Sequence, residues 1–387
     1  MNLREKLKKM PGQKREQTDS PEKPATVYLE ENRYPLSYCH GRYSLEDFSE
    51  YPFQNAGAIF DLPEELSRDE LLFLDTETTG LAGGAGTVAF MIGLAYFAGD
   101  EVVLEQYIMR DYDEEPDQLE AVKERIEERS NLVTFNGKCY DFPLLKDRFI
   151  MNRLEPPVLD NHIDLLHPAR SLWRHLPSCS LKALEWQVID FRRGEDIDGS
   201  QVPEQYFQYL KEKDFELLRP IIEHNRDDII SMISLARHLG EIVSLSDSID
   251  WDGNKAYNLG YLFEKDGQLE KSIRLYERAR DLQDSARLLT RIDKKLTWQY
   301  KRADCYDQAI KIWQEMIREK RGGLFPWVEL AKYYEHQAKD YDSALKLVEA
   351  ANKFLLSRRY YISDWKDRKD ALDHRLDRLE RKLARRE

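Results

Sequence analysis

Asp75 and Glu77, two acids separated by one residue, stand at the end of the apolar run Leu71-Leu72-Phe73-Leu74. Such a short run is too small for a helix of its own and reads as a strand buried on both faces. Alternate residues of an extended chain share a face, so both carboxylates point the same way. Thr78-Thr79-Gly80 then breaks the strand. Two acids at the mouth of a buried strand repel each other unless a positive charge neutralises them. A hard divalent cation such as Mg²⁺ or Mn²⁺ is the usual partner. An acidic turn running out into solvent fits these two residues equally well.

Two further acids lie where they could join the pair. Asp141 follows a short strand, Leu132-Val133-Thr134-Phe135, and the tight turn Asn136-Gly137. It begins a helix reaching about Ile150, a place where aspartate ordinarily acts as a cap. Asp228 lies on a helix expected from about Phe215 to Leu239, in one stripe with Ile221, Met232, Leu235 and Leu239. An ionised carboxylate in such a core-facing stripe must be paired or bind a cation. Asp227 falls in a row with Glu223, Ile230, Ser234 and Arg237, which reads as largely solvent-facing. His224 precedes Asp228 by one helical turn on the same side.

Taken together, the motifs resemble those of a known family. Asp75-Thr76-Glu77-Thr78-Thr79-Gly80-Leu81 resembles the first motif of the DEDD exonucleases, which have a ribonuclease-H-like fold. Asn136-x-x-x-Tyr140-Asp141 resembles the second, and the helix carrying His224 and Asp228 resembles the third. In that family the last aspartate follows a tyrosine by four residues or a histidine by five. Here a histidine precedes it by four, as in the YprB-type exonucleases that the chain resembles most. The resemblance covers residues 70 to 240 and implies 3′-to-5′ removal of mononucleotides. It implies that Asp75, Glu77, Asp141 and Asp228 hold two divalent cations, Mg²⁺ or Mn²⁺. One activates a water and the other stabilises the leaving oxygen, with His224 as the general base. It also implies that Thr78, Leu81 and Asn136 contact substrate. DNA rather than RNA, with a role in DNA repair, is an expectation from the family alone. An RNA exonuclease and a non-catalytic nucleic-acid-binding adaptor are the alternatives.

The elements that must position these residues divide a chain of 387 residues into several parts. Residues 1–26, charged and with Pro11, Pro21 and Pro24, read as a disordered tail. Residues 27–69 form an N-terminal extension carrying Tyr28, Tyr34, Tyr38, Tyr43, Phe48, Tyr51 and Phe53. Aromatics so spaced can stack on bases, but more often such a segment drapes over its neighbour and buries its rings. Residues 70–242 are expected to form an α/β domain, a ribonuclease-H-like mixed sheet with flanking helices. The run at Leu71, then Thr87 to Phe97 and Val102 to Met109, read as three antiparallel strands before a helix from Pro116 to Arg129. The glycine-rich stretch Gly80 to Gly86 lacks the Lys-Ser/Thr of a phosphate-binding loop and precedes a strand. Asp160, His162 and Asp164 alternate like a ligand set but read better as a polar loop entering the last strand. His167, Arg170, Arg174, His175 and Lys182 are candidates for phosphate contacts.

The C-terminal part carries a second pattern. Ala256, Leu259, Gly260, Phe263, Ser272, Tyr276 and Ala279 have the offsets of a tetratricopeptide repeat. The offsets recur from Asp293 through Met316, and from Trp327 through Ser343, Leu347 and Ala350. Residues 254–355 are therefore expected to form an all-α repeat domain, closed by a charged capping helix in 356–387. Such arrays commonly hold a protein partner, here expected to be a helicase or repair protein. Ser244 to Gly253 has the composition of a linker. The net charge of −13, 34% charged residues and mean hydropathy of −0.69 indicate a soluble chain without the charge signature of a nucleic-acid binder. Four scattered cysteines without a Cys-x-x-Cys pair, and no apolar leader or spanning run, point to the cytoplasm and away from a zinc site.

Overall fold

Strand Leu71–Thr78 runs through the middle of a six-stranded mixed sheet in a computed structural model that describes residues 27–50, 66–80, 86–244, 252–283, 285–360 and 363–385. The sheet order is β1 (Tyr28–Pro35), β4 (Glu101–Ile108), β3 (Ala89–Ala98), β2 (Leu71–Thr78), β5 (Asn131–Thr134), β6 (Asn161–Asp164). Strands β1 to β4 pair antiparallel along that order, whereas β5 and β6 add on in parallel. Phe73 of β2 enters one core cluster, and Leu72 and Leu74 enter another on the opposite face. A central strand covered on both sides needs this unbroken apolar run.

Strand β1 was not expected. Its residues alternate between half-buried Tyr28, Glu30, Asn32 and Tyr34 and exposed Leu29, Glu31, Arg33 and Pro35. The period of two is therefore present but written mostly in polar residues, as an edge strand allows. Beyond it, Tyr43 and Phe48 of the extension are buried in the core and Tyr38 is exposed. Tyr51 and Phe53 lie outside the described residues, as do residues 1–26 and Leu81.

Helices α1 (Glu115–Glu128), α2 (Asp141–Met151), α3 (Leu166–Leu172) and α4 (Val202–Glu212) flank the sheet, and α5 (Arg219–Ser244) packs against β2 and β3. The approach of α5 needs Gly93. A Cβ there would come 2.2 Å from Asn225 Oδ1 and 2.3 Å from Ile229 Cδ1. The supposed solvent row of α5 is instead covered, with Ile230 at 1%, Ser234 at 3% and Arg237 at 7% exposure. The small hairpin of Cys39–His40 and Tyr43–Ser44 lies over it. His40 Nε2 meets Ser231 Oγ at 2.7 Å, and the Arg237 guanidinium sits 4.1 Å from the Tyr43 ring centre. The periodicity was right for a helix with one neighbour, but the folded helix has two.

The rest is all helical: α6 (Gly253–Lys265), α7 (Leu269–Asp281), α8 (Ala286–Arg302), α9 (Tyr306–Arg318), α10 (Phe325–His336), α11 (Tyr341–Ser357) and α12 (Trp365–Leu383). Each packs on the next. The expected small and apolar positions of the first two helix pairs are buried, from Ala256 to Ala279 and from Asp293 to Met316. In the third pair the buried positions of α11 are Ala344, Val348, Ala351 and Leu355. These lie one residue later than Ser343, Leu347 and Ala350, because the left-handed turn residue Lys339 comes one residue later in its pair than its counterparts Gly267 and Asp304 do in theirs. Leu372 and Leu379 seat the last helix as its stripe suggested.

The helical region is not held off by a spacer. Asn258 donates to the Leu172 carbonyl at 3.0 Å, and Leu172 and Trp173 share one core cluster with Ala256 and Tyr257. Residues 245–251 of the expected linker lie outside the described set. Among the described residues, no helix is long and apolar enough to cross a membrane.

Candidate active site

The end of β2, the start of α2 and the first half of α5 meet over the sheet. A bulge between Glu77 and Thr78 ends the regular pairing of β2 with β3. Asp75 lies opposite Gly93, and this gap lets Asn225 descend until its Nδ2 donates to Asp75 Oδ2 at 2.8 Å. Gln106 Nε2 donates to Asn225 Oδ1 at 2.9 Å and to the Ile222 carbonyl at 2.9 Å. With its oxygen so engaged, the Asn225 amide can turn only its NH₂ toward Asp75. Asn225 was missed in the sequence, although the stripe that selected Asp228 also runs through it.

Burial pushes both Asp75 and Glu77 well above the ordinary carboxylate range, and repulsion from Asp228 adds to it. Asp141 also repels both, and Glu77 adds its own repulsion to Asp75. Glu77 is only 9% exposed. Asp141 is the first residue of α2, with Tyr140 in the cap position, so it is not the ordinary cap its place suggested. Its Oδ1 accepts from Thr76 Oγ1. Burial raises its pKa to about 6, more than that hydrogen bond lowers it.

His224 faces this acidic group with Nε2, which is 4.0 Å from Glu77 Oε1 and 3.8 Å from Asp228 Oδ2. Its Nδ1 is 2.7 Å from Asp196 Oδ1. A carboxylate only accepts and a guanidinium only donates. The shorter contact at Nδ1, to Asp196, therefore calls for a proton there against the longer one from Arg193 Nη1 at 3.1 Å. A neutral ring so protonated turns the Nε2 lone pair toward the carboxylates. Lys182 Nζ holds the other oxygen of Asp196 at 2.7 Å. Burial raises the Asp196 pKa, but the bonds from Lys182 and His224 outweigh it and keep the group below its usual value. Arg193 completes the wall. It donates to Glu185 from Nε at 2.8 Å and Nη2 at 2.5 Å, and Nη2 also reaches Asp228. Its Nη1 stands 3.1 Å from His224 Nδ1.

Arg193, Asp196 and Glu185 carried no sequence signal beyond an irregular charged stretch. Glu185 begins a π turn, Glu185–Ile189, that continues the helical turn Leu181–Leu184. Lys182, read only as a phosphate candidate, belongs to the same assembly.

The remaining sequence candidates are placed as follows. Thr78 Oγ1 donates to the Gly80 carbonyl at 2.9 Å, which also accepts from Tyr140 at 2.7 Å. Asn136 adopts left-handed backbone, and its N–H donates to Asp164 Oδ1 at 2.8 Å. Asp164 also accepts from the Lys138 and Leu166 amides, so it braces the loop before α2. His162 pairs with Thr134, and Asp160 with Ser130. The alternating acids and histidine are thus three separate local braces at the start and end of β6.

Among the described residues, no three acid, histidine or cysteine side chains converge into a ready metal cage. The donors nevertheless suit a hard cation. They are carboxylate oxygens, Glu77 and Asp141 are buried with Asp141 repelling Glu77, and the partner of half-buried Asp75 is a neutral amide.

Comparison with known proteins agrees with the sheet. Residues 72–240 match the model of the RNase_H superfamily. Over 368 residues the chain is 32% identical to the protein named "Uncharacterized protein YprB" of Bacillus subtilis (strain 168), covering 92% of this chain and 86% of that one. A domain of this superfamily suggests nuclease activity.

Proposed function

The chain belongs to the RNase H superfamily and shares a family with the Bacillus protein through both its sheet and its helices, and from that footing we propose that it is a metal-dependent 3′-to-5′ exonuclease. The observation that carries the reading is buried Glu77 and half-buried Asp228 facing His224 Nε2, with Asp75 beside them on the strand and Asp196 behind the imidazole. Asp75, Glu77, Asp141 and Asp228 are the residues that would hold two divalent cations, Mg²⁺ or Mn²⁺. Bound there, such ions supply charge neutralisation at the attacking and leaving oxygens of the phosphodiester. His224 accepts the proton of the attacking water at Nε2, and Asp196 holds the ring in the tautomer that can do so. Arg193 ties Asp228 to Glu185 and so sets the orientation of α5 at the site. Thr78, Leu81 and Asn136 are the residues that would contact the terminal nucleotide, as the resemblance of their motifs implies. DNA is the favoured substrate over RNA. The helical region is the module for a protein partner of the helicase or repair class, in keeping with its tetratricopeptide-like offsets.

The test is hydrolysis of 3′- and 5′-labelled DNA and RNA, single- and double-stranded, with Mn²⁺, with Mg²⁺ and with EDTA. Stepwise loss from the 3′ end, stopped by EDTA, is the expected result. Release from the 5′ end, or cleavage that continues in EDTA, would overturn it. A second reading, a nucleic-acid-binding adaptor without catalysis, draws on the contact of Arg193 with Asp228. Binding without hydrolysis under every metal condition would favour it.

A further inference from the structure

A cleft of about 860 Å³ opens where the hairpin of the N-terminal extension, the far half of α5 and the start of α6 come together. Arg42, Trp173, His175, Trp186, His238 and Lys255 are among its lining residues. Its chemistry is unusual for this chain. The molecule as a whole carries −13 charges, yet the cleft brings together basic side chains and aromatic rings. Its acid, Glu241, is already engaged, accepting from Arg237 at 2.5 Å and from the Tyr43 hydroxyl at 2.9 Å.

Two elements join this cleft to the carboxylates. The first is α5, which carries both Asp228 and His238. Ten residues of helix place them about 15 Å apart. The second is the segment from Leu181 to Ile189. Lys182 at its start bonds the Asp196 that bonds His224, while Trp186, four residues on, lines the cleft. A spacing of four sets the two on one side of the helical segment. Both reach solvent, the Lys182 side chain at 63% and Trp186 at 59% exposure. The exposed indole thus stands on the segment that leads from the candidate active site to the cleft, with its face available to a ligand. Deeper in, Trp173 stacks on His238 with ring centres 5.8 Å apart, which gives the cleft a firm aromatic floor.

We propose that this cleft binds the single-stranded stretch of polynucleotide that trails from the end held at the carboxylates. Trp186 stacks on a base, and Arg42, His175 and Lys255 meet phosphates. Lys182 bridges the interval to the active site. Alternating stacking platforms and cations is how single strands are held without sequence preference. The assignment rests on the exonuclease reading for its direction, but its binding chemistry is separate.

The experiment uses the full-length chain in EDTA, so that nothing is cut, with oligothymidylates of about four and about twelve nucleotides followed by fluorescence anisotropy. Trp186→Ala should weaken the longer oligonucleotide about tenfold and leave the shorter one unchanged, and Trp186→Phe should keep most of the affinity. Lys255→Glu should weaken the longer one as well. Equal effects at both lengths, or none, would overturn the proposal. An oligo-glutamate peptide that displaces the longer oligonucleotide as well as unlabelled DNA does would show a general site for acidic chains and would overturn it too. Cleavage of the short oligonucleotide with Mn²⁺ is measured in parallel. If cleavage is normal and the length effect is missing, only the cleft assignment fails. If the wild-type chain cuts nothing, the exonuclease reading fails, and the binding series still decides the cleft.

Discussion

Glu335 in α10 is fully buried and Asp75 in β2 half-buried, and the protein treats them in opposite ways. Glu335 has no exposed side-chain surface and accepts from Arg375 at 2.7 Å, Arg378 at 2.8 Å and Lys382 at 2.8 Å. Burial alone would raise its pKa, but those cations hold it at about 2. Asp293 in α8 is matched in the same manner by Arg280 at 2.8 Å and Arg321 at 2.5 Å. Asp75 receives one neutral amide, from Asn225, and is pushed well above its ordinary value. The helical region therefore pairs each of these buried acids in full, while the sheet domain leaves Asp75 beside other acids. A carboxylate supplied with partners holds a fold together. One left without a cation, among like charges, is arranged for something that arrives later.

Removing the unmatched acid tests that contrast most severely. Asp75→Ala should lower phosphodiester hydrolysis on the order of a thousandfold. In EDTA its unfolding temperature should equal or exceed that of the wild type, because a repelling charge has gone. The rise in unfolding temperature on adding Mn²⁺ should vanish. A strongly destabilised but active variant would place Asp75 with the structural acids.

The mirror experiment is Glu335→Gln. Three cations then lose their carboxylate, so folding should weaken by about 2–3 kcal/mol, less than for a fully enclosed pair because the partners are partly solvated. Hydrolysis per folded molecule should not change. Denaturant titration and specific activity together decide it. Lost activity without lost stability would mean that the helical region reaches into the chemistry.

The two classes of acid should also differ in their response to pH. Asp141 keeps its proton to about pH 6 in the folded chain, and Asp75 and Glu77 are raised as well. Unfolded, such groups ionise near pH 4. The folded state therefore binds more protons between those values, and stability falls as pH rises through that window. For Asp141 alone this amounts to roughly 2 kcal/mol. The metal-free protein should thus unfold at a lower temperature at pH 7 than at pH 5, with the difference reduced in Asp141→Asn and reversed by Mn²⁺. Glu335, held below its usual value, works in the opposite sense, since its stabilisation is lost only as pH falls through the ordinary glutamate range toward about 2. A metal-free protein that is more stable at pH 7 would show that the acids of the sheet domain are neutralised from within.

How far the chemistry was legible beforehand depends on the range of the contact involved. The run Leu71–Leu74, the alternation of Asp75 and Glu77 and the turn before Asp141 are local patterns, and periodicity reads them directly. The bond from Asn225 to Asp75 is not local. It depends on Gly93 on a neighbouring strand leaving room for a helix that arrives much later in the chain. Arg193 and Asp196 lie in a stretch with no period, after a π turn that no regular pattern anticipates. Strand β1 hid because an edge strand needs few apolar residues. The tetratricopeptide-like offsets located the helix pairs, since small residues at close helix crossings are local requirements. They slipped by one in α11, where the turn before it sets the phase. Local sequence thus disclosed which acids to examine, and tertiary packing decides which of them go unmatched.

The smallest difference predicted is between adjacent residues. Asp227 and Asp228 were separated by assigning one to a solvent face and the other to the core. The row of Asp227 is no solvent face, because Ile230, Ser234 and Arg237 in it are buried beneath the hairpin of the extension. The two aspartates are about equally shielded, with side chains 17% and 19% exposed. Their neighbours differ instead. Asp227 pairs with Arg226 at 2.9 Å, and burial, partly offset by Arg226, raises its pKa. Asp228 lies 3.8 Å from His224 Nε2 and repels both Asp75 and Glu77. Asp228→Asn should therefore abolish hydrolysis, whereas Asp227→Asn should lower it less than about threefold and cost at most about 1 kcal/mol of stability. Rates on one labelled oligonucleotide, with unfolding curves for both variants, give the comparison. If Asp227→Asn proves the more damaging, the helix presents its other face to the substrate, and the Arg226 pair, rather than Arg193, guards the site.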